Sequence, residues 1–99
     1  MKIRTLIVDG MLSGTGIRDG DQGGYVSPSD LGVSLELGLR ISKWHERYEN
    51  AHFCQFVDTA ENQVLDMQGL EIARLLMAEL PKVKVKYYSN AELREIPIN

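Results

Sequence analysis

Residues 82–88 alternate without exception, with Lys82, Lys84, Lys86 and Tyr88 on one side and Val83, Val85 and Tyr87 on the other. A period of two is the signature of a strand with one wet and one buried face, so the segment predicts a sheet covered from one side. Pro81 precedes it and ends whatever helix comes before. At the other end of the chain, residues 2–8 set Ile3, Thr5 and Ile7 against Lys2, Arg4, Leu6 and Val8, polar early and apolar later, which reads as a strand running from a wet edge into a core. Leu93, Ile96 and Ile98 suit a short edge strand, where Pro97 is tolerated.

Between these strands lie two helical patterns. Leu37, Ile41, Trp44 and Tyr48 recur at steps of four, three and four, and Leu35 and Leu39 are expected to widen that face. Ser34 is the predicted N-cap, Glu36 favours the dipole, and the helix is expected to end near Asn50. After a linker at residues 51–59, a second helix is expected over residues 64–80, capped by Asp66, with Leu70, Ala73, Leu76 or Met77, and Leu80 buried. The order predicts an α/β two-layer sandwich, a small mixed sheet packed on two helices, with the first and penultimate strands joined by a long crossover and therefore parallel. All 99 residues make one domain.

Asp9-Gly10 is a turn signal, and six of the nine glycines fall within fifteen residues, from Gly10 to Gly24. Residues 9–26 therefore form either a hairpin, with a second strand between residues 11 and 18, or a long flexible loop. Gly14, Gly16 and Gly20 miss the dinucleotide fingerprint and no G-K-[ST] follows, so a small-molecule or phosphate-binding domain using this loop is the secondary reading. His45, His52 and Cys54 lack the ligand spacing of a closed zinc site, and no metal or cofactor is expected. No Lys or Arg lies near Cys54 in sequence to lower its thiol pKa, so it reads as a buried structural cysteine. No arrangement of nucleophile, acid and base emerges, and the chain is expected not to be an enzyme.

Charge narrows the partners. The formal net charge of -3 disfavours a nucleic-acid clamp, and the lysines of residues 82–88 read as a solvated sheet face. Residues 51–81 hold five carboxylates against Arg74 alone, whereas residues 82–99 hold four basic and two acidic side chains. Such a dipole suits electrostatic steering of a basic protein partner. Asp19, Asp21, Tyr25, Asp58 and Glu61 are the candidate partner-binding residues. No apolar run approaches the length of a membrane span, and a lone cysteine fits a reducing, cytoplasmic setting.

Leu31-Gly32-Val33-Ser34-Leu35-Glu36-Leu37 with Ile41, Trp44 and Tyr48, followed by the stretch from Leu65 through Gly69, Ala73 and Glu79 to Leu80, resembles small bacterial immunity-type proteins encoded beside polymorphic toxins. The resemblance implies a non-enzymatic module that neutralises a toxin partner by covering its active surface. The glycine-rich segment has no counterpart in that pattern.

Overall fold

The computed structural model describes residues 4–98; Lys2 and Ile3 of the expected first strand, with Met1 and Asn99, lie outside the described residues. Four strands, β1 (Thr5–Asp9), β2 (Ile17–Asp19), β3 (Lys84–Ser89) and β4 (Arg94–Ile96), form one mixed sheet in the order β2-β1-β3-β4. β1 and β3 are parallel neighbours, Thr5 beside Lys84 and Val8 beside Tyr87, while β2 and β4 are antiparallel edges. Two helices, α1 (Leu35–Phe53) and α2 (Thr59–Glu79), pack on the sheet as the second layer. No helix among the described residues is long and apolar enough to cross a membrane.

The two-residue period decides the faces. Leu6 and Val8 of β1 and Val85 and Tyr87 of β3 are buried beneath the helices, leaving Lys84, Lys86 and Tyr88 on the opposite face. Leu37, Ile41, Trp44 and Tyr48 of α1 join them, and the Trp44 indole donates from Nε1 to the Leu65 carbonyl at 2.9 Å, pinning α1 to α2. Gly69 lets α2 lie directly on the Tyr87 ring, where a Cβ would collide.

Several boundaries differ from expectation. Ser34 does cap α1, its hydroxyl accepting from Leu37 N at 3.2 Å, but Leu35 and Leu39 point to solvent because they sit roughly 200° around the helix from Leu37 and Ile41. α1 runs on to Phe53, and α2 begins at Thr59 with Asp58 as its N-cap. Asp66 is therefore no cap; it lies a full two turns inside α2 and is buried. The stripe of α2 is Leu65, Gly69, Ile72, Ala73 and Leu76, with Leu70 and Leu80 half-buried and Met77 exposed.

Residues 9–26 resolve into a β1–β2 hairpin that is fastened at several points. Asp9 N donates to Gly16 O at 3.0 Å, and a row of side chains from α1 holds the turn: His45 Nε2 meets Met11 O at 2.9 Å, Glu49 accepts from Ser13 N at 3.2 Å, and His52 Nε2 meets Gly10 O at 3.1 Å. Since a carbonyl only accepts, both imidazoles present a protonated Nε2. Gly10 lies flat on the Tyr48 ring, leaving no room for a side chain.

Candidate functional site

In open α/β sheets, ligands favour the crevice beyond the carboxyl ends of parallel strands. Here that crevice is filled. Asp9, ending β1, accepts from Asn90 Nδ2 at 2.7 Å and Met11 N at 3.0 Å, with Arg18 ion-paired at 3.4 Å. Beside it, the Asp66 carboxylate accepts from Tyr87 Oη at 2.6 Å, Ser89 Oγ at 3.0 Å and, more loosely, Tyr48 Oη at 3.4 Å. Tyr48 Oη in turn accepts from the amides of Asn90 and Ala91 at 3.0 and 3.2 Å. Burial, reinforced by the neighbouring Tyr48 hydroxyl and Asp66, pushes the Tyr87 phenol far above its ordinary range, and burial beside Asp66 raises Tyr48 as well. These phenols stay neutral donors, and the cluster ties α1, α2 and β3 together. Sequence reasoning missed it because its members come from three elements.

The glycine segment also spends its amides internally. Those of Met11, Ser13 and Gly14 donate to Asp9, Glu49 and Met11 O, and those of Gly20, Asp21, Gln22 and Gly23 to Thr5 O or to Asp19. Amides so engaged do not form a phosphate cradle.

The α1–α2 corner faces solvent with a different character. Phe56 N donates to Ala51 O and Gln55 N to His52 O, both at 2.9 Å, which makes a Schellman motif with Gln55 in the position that glycine normally takes. Gln55 and Phe56 both hold left-handed backbone, at φ 57° and 56°. The Phe56 ring rests edge-on against His52 and Tyr48, with centroids at 4.7 and 5.8 Å, and its carbonyl accepts from Asn62 Nδ2 at 2.8 Å. Anchored in this way, the corner presents Phe53 and Val57, each 75% exposed, with Cys54 between them. Cys54 is thus exposed, correcting the expectation of a buried thiol: its position at the helix C-cap directs it outward.

Asp58 and Glu61 stand at the same corner, Asp58 as the N-cap of α2 with its Oδ1 accepting from Glu61 N at 3.0 Å. Glu61 also takes a bidentate pair from Arg47, both bonds 2.7 Å, which holds the guanidinium pKa above its usual range. A cavity of about 290 Å³ opens here, walled by Ala51, Phe56, Val57, Asp58, Glu61 and Asn62 among others. The Asp58-Thr59-Ala60-Glu61 spacing was the sequence signal for this helix start.

The other three expected partner residues lie elsewhere. Asp19 turns the hairpin, accepting from Asp21 N at 2.8 Å and Gln22 N at 3.1 Å. Asp21 accepts from Arg4 N and Thr5 N at 2.9 and 3.0 Å, and these amides hold its carboxyl below the ordinary value. Tyr25 bridges to Arg18 and covers Gly14, its phenol raised by partial burial and by Asp9. Asp19 and Asp21 thus gather at the start of β1, whereas Asp58 and Glu61 lie at the helix corner, nearer the strand's other end.

Compared with protein-family models, curated proteins and solved structures, the chain matches none.

Proposed function

We propose that this chain is a non-enzymatic protein-binding module of the immunity type, which docks its α1–α2 corner on a partner protein and covers that partner's active surface. The supporting observation is the pairing of backbone strain with exposed apolar surface. Two consecutive non-glycine residues in left-handed conformation cost on the order of 1 kcal/mol each, and such strain collects where a surface is held ready for a ligand. What the strained turn holds out is Phe53 and Val57, an aromatic anchor and its neighbour, beside the acidic Asp58 and Glu61. Buried aromatic anchors supply most of the affinity in protein interfaces, while rim charge sets the on-rate. The module acts in the cytoplasm, where an exposed Cys54 stays reduced.

The reading is tested by co-purifying the chain with the product of the adjacent gene. A one-to-one complex is expected, and Phe53→Asp with Val57→Asp should weaken it at least about 100-fold, as loss of a central hot spot does. A complex indifferent to both substitutions, or no complex at all, refutes it.

A further inference from the structure

Tyr48 touches all three turns at the carboxyl end of the sheet. Its ring lies against Gly10 in the β1–β2 turn, it meets Phe56 at the α1–α2 corner with centroids 5.8 Å apart, and its hydroxyl accepts from the amides of Asn90 and Ala91 in the β3–β4 turn. These three turns hold all the non-glycine residues with left-handed backbone among the described residues: Ser13 at φ 64°, Gln55, Phe56, and Leu93 at φ 56°. Strain of this kind persists only where the surrounding structure imposes it, and it gathers at surfaces that bind. The same turns expose Met11, Leu12, Phe53, Val57 and Leu93, the last of them 75% accessible. Because Asp9, Asn90 and Asp66 already fill the crevice beneath, the turns rest on a rigid polar layer and form a platform rather than a cleft.

We propose that the three turns make one docking platform for a partner protein that presents an apolar patch rimmed by lysine and arginine. The inference rests on the protein-binding reading and widens its footprint beyond the α1–α2 corner. Charge selects the occupant. Residues 10–16, 49–58 and 90–93 carry Glu49, Asp58 and Glu92 and no lysine or arginine. Arg94 matches Glu92 at 2.9 Å, whereas Glu49 and Asp58 are engaged mainly by the amides of Ser13 and Glu61, which leaves their charge uncancelled. A second copy docked through the same platform would bring these like charges together across a two-fold axis, and an anionic lipid surface would be repelled by them. A basic rim is attracted instead, while the apolar centre of the patch covers the exposed side chains.

The isotope-labelled chain is titrated with benzamidinium, a flat apolar cation, and with benzoate, the same ring bearing the opposite charge, and followed by amide chemical shifts. Benzamidinium should shift residues 11–13, 53–57 and 91–93 together, and benzoate far less. Binding of the adjacent gene's product is measured by biolayer interferometry alongside. Leu93→Asn removes apolar surface yet suits left-handed backbone, so the urea midpoint should not fall while Kd rises about 10-fold. Leu35→Gln, an equally exposed leucine at the far end of α1, should leave Kd unchanged. Raising salt from about 50 to about 500 mM should slow association several-fold. Benzamidinium shifts confined to the corner, equal shifts with benzoate, or a salt-independent association rate overturns the proposal, as does a dimer of the chain that Leu93→Asn abolishes. A complex that depends on Phe53 but ignores Leu93→Asn removes the platform and leaves docking by the corner standing. Benzamidinium shifts across all three turns without any complex would do the reverse, refuting the adjacent product as partner and leaving the platform.

Discussion

Replacing Asp66 by leucine removes the acceptor that three hydroxyls share. Tyr48 Oη keeps the amides of Asn90 and Ala91, and Ser89 Oγ keeps Glu92 N at 3.0 Å, so each of these loses its outlet as a donor while remaining an acceptor. Tyr87 Oη, fully buried and bonded to Asp66 at 2.6 Å, loses its carboxylate acceptor and keeps only the neighbouring Tyr48 hydroxyl. A buried polar group left unsatisfied costs about 1–3 kcal/mol, so Asp66→Leu should destabilise by roughly 3–5 kcal/mol, a large part of the roughly 5–10 kcal/mol a domain of this size has. Asp66→Asn keeps one oxygen for the tyrosines, and its amide can donate to Ser89, which limits the loss to about 1–2 kcal/mol. Tyr87→Phe alone should cost about 1–2 kcal/mol, but in the Asp66→Leu background much less, since removing both partners of a hydrogen bond is milder than removing one. Urea unfolding followed by circular dichroism, with slopes checked for constancy, supplies all four corners of the cycle. Asp66→Leu costing under about 1 kcal/mol, or the two substitutions adding without coupling, would refute the assignment of this carboxylate as the hub of the core.

Two further outcomes follow from close contacts and charge. Gly69→Ala drives a methyl into the Tyr87 ring and should cost about 1–3 kcal/mol by overpacking, whereas Gly38→Ala, whose nearest neighbour is Pro28 Cβ at 3.9 Å, should gain helix stability; differential scanning calorimetry that fails to separate the two would contradict the packing described. The amides of Arg4 and Thr5 hold Asp21 below its ordinary value of 3.8, so its stabilising effect is fully present above that pH and disappears as pH falls through the lower, folded value. The difference in urea midpoint between the native chain and Asp21→Asn should therefore shrink in acid, and a difference that persists to the bottom of the carboxylate range would tell against these bonds.

Where one element obeyed a single period, the sequence was enough. The alternation of Val83, Val85 and Tyr87 and the four-three-four spacing of Leu37, Ile41, Trp44 and Tyr48 are local patterns, and their faces are buried as those periods require, Val83 only in part. The architecture and the parallel pairing of the first and penultimate strands follow from them. Asp66 defeated the same reasoning because a carboxylate near a helical run looks like a cap, and its hydroxyl partners Tyr48, Tyr87 and Ser89 are distant in sequence. The end of α1 escaped notice since Gln55 stands where glycine usually signals a stop. At the candidate site, Asp58 and Glu61 were legible as residues of interest and their spacing was the overlooked signal for the start of α2, whereas the exposure of Phe53 and Val57 depends on a turn that no periodicity encodes.

The pairing of Thr5 with Lys84 joins residues separated by almost the whole chain. A ribosome must release nearly everything before the sheet's central ladder can close, and until then the apolar edge of β1 has only the β1–β2 hairpin to shelter it. The α1–α2 hairpin has no such wait, since its contacts are nearer in sequence. Nascent chains are therefore expected to acquire helix before sheet, with the exposed corner assembled early and the polar cluster around Asp66 last, when Tyr87 and Ser89 arrive to meet it.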